Sequence, residues 1–327
     1  MVYSKIQGIG CYVPEKVYDN AYMEKIVETN DEWITQRTGI KERRIAGDGQ
    51  FTSDLATLAA QRALENAGVC AEELDLILVA TVTPDSFTPS TACIVQKNLK
   101  AVNAAALDIN SACAGFVAAL DVAKQFIGTG AKKKVLVVGA ETLSRATDYK
   151  DRSTCILFGD AAGAAVVTAS ETDCIPQIWI GAKGESGDKL TMLAYKDDPD
   201  EVEKRISHNK NTIWMNGADV MKFAVKIMAE ATQHVVENAG LTLDDIDVII
   251  PHQANIRIVD SALKRLHFDK EKAFVNLHKY GNTSSASIPL ALCEAYEAGR
   301  IKKGDHVVLV GFGGGLTWGA ALLKWDI

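Results

Sequence analysis

The tetrad Glu65-Asn66-Ala67-Gly68 returns as Glu237-Asn238-Ala239-Gly240, an offset of 237 − 65 = 172 residues. After each copy come an acidic turn and an apolar strand. The first reads Glu73-Leu74-Asp75-Leu76-Ile77-Leu78-Val79, the second Asp245-Ile246-Asp247-Val248-Ile249-Ile250-Pro251. Further on, Val135-Leu136-Val137-Val138-Gly139 faces Val307-Val308-Leu309-Val310-Gly311, and 307 − 135 is again 172. One spacing held over about 70 residues marks an internal duplication of a βα-rich unit.

Each copy is predicted to run in the same order. An amphipathic helix (54–66; 220–238) precedes an apolar strand, and a helix (91–97; 256–266) follows it. Next come a second strand, another helix (115–128; 287–298) and a third strand (135–139; 307–311). Strands alternating with helices imply parallel or mixed sheets covered by helices. A further strand over 161–169 would complete the first sheet. The halves are set at residues 1–170 and 171–327. The stretch 171–211, with the charge run Lys196-Asp197-Asp198-Pro199-Asp200-Glu201, reads as the crossover between halves plus a surface excursion.

The chain has 327 residues, 47% hydrophobic, with a formal net charge of −7. Such a balance disfavours broad nucleic-acid binding. No apolar stretch reaches the roughly 18 residues of a membrane span. The N-terminal run reads as a strand without an apolar signal core, so a secretory signal is not expected. Seven cysteines, odd in number and scattered, suit reduced thiols in a cytoplasm. CxxC, HExxH and histidine clusters are missing, so no metal site is expected.

Cys113 lies in Asn110-Ser111-Ala112-Cys113-Ala114-Gly115-Phe116, between a strand and a helix. Orphan N–H groups and the helix dipole favour a thiolate there, against a free-cysteine pKa of about 8.5. From this stretch alone the residue reads either as a nucleophile or as a core cysteine. The duplication adds neighbours. Position 113 maps to Ser285, 110 to Asn282 and 80 to His252. Ligand-handling groups gather at the carboxyl ends of strands in such sheets. If the halves pack pseudo-symmetrically, Cys113, His252 and Asn282 share one pocket. Taken singly, His252 also reads as a core or surface histidine, and Asn282 beside Gly281 as a turn. The run Gly311-Phe312-Gly313-Gly314-Gly315 reads as a loose loop or as backbone able to approach a ligand closely. No Lys-Ser/Thr follows, so it is not a phosphate-binding loop.

Several motifs, in order, carry a family resemblance. They are Asp31-Glu32-Trp33-Ile34 with Arg37-Thr38-Gly39-Ile40, Ser111-Ala112-Cys113-Ala114-Gly115-Phe116, and Phe158-Gly159-Asp160-Ala161-Ala162-Gly163-Ala164. Pro251-His252-Gln253-Ala254-Asn255, Gly281-Asn282-Thr283-Ser284, and Phe312-Gly313-Gly314-Gly315 with Thr317-Trp318-Gly319 complete the set. Over essentially its whole length the chain resembles the β-ketoacyl-[acyl-carrier-protein] synthase III family, the initiating condensing enzymes of type II fatty-acid synthesis. The resemblance implies a thiolase-like, five-layered αβαβα fold and a homodimer. It implies acyl transfer from acetyl-CoA or another short acyl-CoA to Cys113, then decarboxylative condensation with malonyl-acyl-carrier protein. His252 and Asn282 would stabilise the enolate, and the N–H groups of Cys113 and Gly314 would form the oxyanion hole. No metal or organic cofactor is implied.

The same resemblance makes Trp33 an adenine platform, with Arg37 and Arg152 beside the base and phosphates of CoA and Asn255 on the pantetheine arm. An acidic carrier protein needs a basic patch. Arg257, Lys264 and Arg265 share a helix face at i, i+7 and i+8, and Lys222 can join them. Two departures stand out. Ala218 and Met221 replace residues usual in the pantetheine tunnel. The dimer-contact loop reads Asp85-Ser86-Phe87-Thr88-Pro89-Ser90, with Thr88 where a Phe is usual and Phe87 one earlier, so a roomier acyl pocket is expected. A relative loading other acyl groups for polyketide, quinolone or olefin synthesis is the alternative. A Cys–His hydrolase would need a general base to activate water, and neither the His252 nor the Asn282 motif carries a carboxylate; a non-catalytic acyl-binding partner would lack Cys113.

Overall fold

The repeated tetrad is a helix ending. Helix Thr52–Ala67 stops at Gly68, with φ of 63°, and helix Gly217–Asn238 gives way to Gly240, with φ of 73°. A left-handed glycine satisfies the last carbonyls and turns the chain toward the strand. A computed structural model describes residues 2–196 and 198–327, so Asp197 of the predicted charge run lies outside the described residues.

The first sheet is ordered Tyr3–Tyr12, Asp160–Ser170, Lys134–Thr142, Leu76–Ala80 and Ala105–Ile109. The second is Val248–Pro251, His306–Gly313, Thr317–Lys324 and Gln177–Ala182. Leu76 pairs with Val135 and Val248 with Val307, both in parallel, so the 172-residue offset survives as hydrogen-bond register. Helices Gly115–Gly128 and Ser287–Glu297 fill the space between the sheets, in one core with Leu78, Val137, Val307 and Leu309. Helices Thr52–Ala67 and Thr91–Leu99 cover the far face of the first sheet. Helices Gly217–Asn238 and Ile256–Leu266 cover that of the second. The five-layered α-β-α-β-α arrangement follows from strands with two apolar faces, each of which must be buried.

The halves touch backbone to backbone at their symmetry-related turns. A Cβ on Gly139 would lie 2.2 Å from the carbonyl oxygen of Ser285. Only glycine lets a strand of one half lie that close to the turn of the other.

Two expectations are corrected. The segment Gln177–Ala182, placed in the crossover excursion, is the edge strand of the second sheet, antiparallel to Thr317–Lys324. It is short and none of its six residues is buried, so its pairing with Thr317–Lys324 rather than a local pattern defines it as a strand. The second strand of the second half shrinks to a single bridge, Ile249 to Ala273, where the first half pairs Ile77 with Ala106. The offset there is 273 − 106 = 167. The extra turn Leu277–Tyr280 restores the offset of 172 before Asn282.

Candidate active site

Cys113 sits in the tight turn Ala112–Ala114 that leads into helix Gly115–Gly128. Its counterpart is the turn Ser284–Ala286, which leads into Ser287–Glu297. Ala112 and Ser284 both carry φ of 46°, a costly conformation for a residue with a side chain. The strained turn is therefore part of the duplicated unit. The end of strand His306–Gly313 packs onto it: a Cβ on Gly313 would lie 2.4 Å from the amide nitrogen of Cys113. The glycine run is ordered backbone against the nucleophile turn, not a loose loop. Gly314 follows, 3.5 Å from Ala112 when its own Cβ is built.

His252 follows strand Val248–Pro251 in a connection of only four residues before the next helix, where the first half spends ten, 81–90. Its amide donates to Val310 O at 2.7 Å, and its Nδ1 lies 2.6 Å from Ser287 Oγ. Burial holds the imidazole down, to about 3, so it is neutral at physiological pH. Asn282 donates its amide to Leu157 O at 2.8 Å, and its Oδ1 accepts from Ser284 N at 2.9 Å. Cys113, His252 and Asn282 line one cavity of about 460 Å³.

The thiol departs from the helix-dipole expectation. Cys113 keeps partial exposure as a residue, but its sulfur is enclosed, and that burial pushes the thiol up to about 12. The nearby Glu141 carboxylate pushes the same way, and Ser284 opposes. Desolvation outweighs the dipole of a helix whose first full turn begins two residues later.

Glu141 escaped the sequence reading. Its fully buried carboxylate lies 2.8 Å from Ser285 Oγ and accepts from Thr83 Oγ1 at 2.6 Å, Thr81 Oγ1 at 3.1 Å and Val82 N at 3.1 Å. Position 141 maps to 313, so a glutamate braces the Ser285 turn where a glycine braces that of Cys113. The available signal is an acidic residue directly after the apolar run 135–140 of its strand. Ser287, beneath His252, was missed as well.

At the mouth, Trp33 on helix Asp31–Thr38 lies near two guanidinium groups, Arg37 Cζ at 5.1 Å and Arg152 Cζ at 5.0 Å from its ring centroid. Arg152 also donates to Glu28 O at 3.1 Å. Asn255 caps helix Ile256–Leu266, accepting from Arg257 N, while its Nδ2 donates to Arg37 O at 3.1 Å. Trp33, Arg37, Arg152, Asn255 and Arg257 all line the cavity, and Glu28 does not. The walls between mouth and floor are apolar and include Leu190, Met192, Ile213 and Met221. The excursion thus supplies a wall. Ala218 is exposed and outside the lining.

Lys222, Arg257, Lys264 and Arg265 are exposed, and none of the four joins an ion pair among the described residues; Arg257 alone lines this cavity, while Lys222 lines a separate groove with Lys183, Lys189 and Glu230. Phe87 and Thr88 do not enter this chain's cavity. Phe87 is 68% exposed, with its ring 4.7 Å from that of Tyr195.

Comparison with known proteins meets this geometry. The family model described as 3-Oxoacyl-[acyl-carrier-protein (ACP)] synthase III matches residues 107–184, and its C-terminal companion matches 236–325. The β-ketoacyl-[acyl-carrier-protein] synthase III of Caldanaerobacter subterraneus subsp. tengcongensis is 54% identical, covering 98% of this chain and 97% of that protein. The chain belongs to the β-ketoacyl-[acyl-carrier-protein] synthase III family. Synthases III are acyl-transferring condensing enzymes, and this chain is one of them. The crystal structure of 3-oxoacyl-[acyl-carrier-protein] synthase III from Aquifex aeolicus VF5 superposes with a TM-score of 0.92 at 49% identity, covering 98% of this chain and all of that one. The priming β-ketosynthase from the R1128 polyketide biosynthetic pathway has the same TM-score, 0.92, at 36% identity over 99% of this chain and 97% of that one. The thiolase-like fold is thereby established. Among the described residues no helix is long and apolar enough to cross a membrane.

Proposed function

We propose that this synthase III starts type II fatty-acid synthesis, moving acetyl or another short acyl group from CoA to Cys113 and condensing it with malonyl-acyl-carrier protein. The observation that carries the reading is one cavity with Cys113, His252 and Asn282 at its floor and Trp33, Arg37 and Arg152 at its mouth. Its apolar walls suit a thin pantetheine arm bearing an acyl group.

In the first half-reaction the Cys113 sulfur bonds the acyl carbon as the bond to the CoA sulfur breaks. The thiol proton ends on the departing CoA. The Cys113 and Gly314 N–H groups are assigned to the oxyanion, supported by the close packing of Gly313 on the Cys113 turn. In the second half-reaction CO2 leaves the malonyl group, the enolate carbon bonds the acyl carbon, and the released thiolate takes up a proton. His252 Nδ1 is assigned as the acceptor from Ser287 Oγ, 2.6 Å away, a tautomer that puts the imidazole proton on Nε2, free to donate to the thioester oxygen. Asn282 Oδ1 is engaged by Ser284 N, which leaves its Nδ2 to donate. Two neutral donors meet a developing oxyanion without burying net charge. These steps call on no metal or organic cofactor, and the CoA thioester is a substrate.

Trp33 is assigned to the adenine, Arg37 and Arg152 to the phosphates and base, and Asn255 to the pantetheine. Lys222, Arg257, Lys264 and Arg265 are assigned to the acidic carrier protein. A homodimer is supported by the unpaired edge strand Ala105–Ile109, where Leu107 is 39% and nearby Val102 72% exposed. The scattered, unpaired cysteines favour a cytoplasmic site of action.

Separate assays of the half-reactions test this. His252→Ala and Asn282→Ala are expected to accept acetyl from acetyl-CoA and to lose malonyl-carrier decarboxylation by about 10²-fold or more. Loss of acylation with decarboxylation intact would reverse the assigned roles. The priming ketosynthase likeness favours a second reading, in which other acyl groups are loaded. Turnover of C4–C8 or branched acyl-CoA above that of acetyl-CoA selects it.

A further inference from the structure

A second cluster of reactive side chains lies away from the cavity. Cys11, Cys293 and Glu297 bring their sulfur and carboxylate ligand atoms to within 4.8 Å of one another. Cys293 and Glu297 stand at i and i+4 on helix Ser287–Glu297, so they share a face, and their Sγ and Oε1 are 3.6 Å apart. Cys11 comes from strand Tyr3–Tyr12, whose end is fixed by Arg62 Nη1 donating to Cys11 O at 2.6 Å. The three ligands grade from buried Cys293 through half-buried Cys11 to exposed Glu297, which leaves a path from solvent. Glu297 has no cationic partner among the described residues.

We propose that Cys11, Cys293 and Glu297 form a binding site for a soft divalent metal ion of the zinc class. Two thiolates and a carboxylate suit such an ion, with water in the fourth position. Zn–S bonds of about 2.3 Å put tetrahedral ligand atoms roughly 3.5–4 Å apart, within reach by small side-chain rotations. On binding, two metal–sulfur bonds and one metal–oxygen bond form, and the two thiol protons leave to water. The neighbouring Cys11 thiol, burial and Glu297 all push the Cys293 thiol up, so without a cation Cys293 stays protonated. A dication reverses that balance. The ion would pin the edge strand of the first sheet to the central helix that follows the Ser284–Ala286 turn, joining the two halves.

The test is titration of the metal-free, reduced, full-length protein with Co²⁺. Wild type and Cys113→Ser are expected to develop thiolate-to-cobalt charge-transfer absorption, saturating at one equivalent per chain. Cys11→Ser and Cys293→Ser should lose it. Loss of even an outer partner costs about tenfold in affinity, so the exposed Glu297→Gln should weaken binding by at least about tenfold without a folding defect. Zn²⁺ should bleach the band, raise the melting temperature and protect Cys11 and Cys293 from alkylation. No charge transfer in wild type overturns the proposal. So does a band that survives in Cys11→Ser and Cys293→Ser, or alkylation of both cysteines unchanged by Zn²⁺.

Discussion

Cys113 has a buried thiol, not a resting thiolate, and this sets its reactivity. With the group raised to about 12, its alkylation by iodoacetamide should climb about tenfold per pH unit from pH 6 to 9, without a plateau. A plateau near pH 7 would mean that the helix dipole outweighs desolvation. His252, lowered to about 3, should add no inflection to the condensation rate between pH 5 and 8. Its linkage to stability has a definite sign. The unfolded chain binds a proton at His252 near pH 6.5 and the folded chain does not, so its contribution is full above 6.5 and falls as pH drops toward 3. At the mouth, Trp33→Ala should raise KM for acyl-CoA roughly tenfold, since aromatic stacking on a base is worth about 1–3 kcal/mol. An unchanged KM would remove Trp33 from the CoA site.

The strand ends and tight turns hold these side chains, and glycine sets how closely they approach. Gly313→Ala should abolish acylation, because the new Cβ meets backbone at Cys113 rather than a side chain that can move aside. Gly139→Ala meets Ser285 O across the two halves and should cost about 1–3 kcal/mol or more, read as a lower melting temperature. The tetrads at 65–68 and 237–240 made the repeat legible, since helix ends demand particular residues. The nucleophile turn followed from the same offset, and its twin φ of 46° shows why the mapping held there. What stayed illegible depends on distance in sequence. Gln177–Ala182 is a half-exposed edge strand that only its partner Thr317–Lys324 defines. Glu141 reads as an oddity until Ser285, Thr81 and Thr83 surround it. The Cys11–Cys293–Glu297 cluster joins opposite ends of the chain, beyond any local metal-ligand spacing. Phe87 and Thr88, expected near the acyl pocket, are not among the residues lining this chain's cavity.

Across the whole molecule a net charge of −7 coexists with four exposed cations outside any ion pair among the described residues, Arg257 at the cavity lining and Lys264 and Arg265 further along the same helix, with Lys222 on the neighbouring one. Reversing Arg257 or Arg265 to Glu should raise KM for malonyl-acyl-carrier protein severalfold and flatten its salt dependence, with KM for malonyl-CoA unchanged for Arg265→Glu. Equal effects on both substrates would make the change structural. Velocity sedimentation should find a dimer, with Leu107→Asp shifting it toward monomer. The central claim is that the two halves converge to make Cys113 an acyl carrier. Intact-protein mass spectrometry after mixing with acetyl-CoA addresses it most directly. The account predicts one acetyl adduct, mapped to Cys113 and absent from Cys113→Ser. An unmodified Cys113 with every acyl-CoA from C2 to C8, or an adduct that persists in Cys113→Ser, would contradict it.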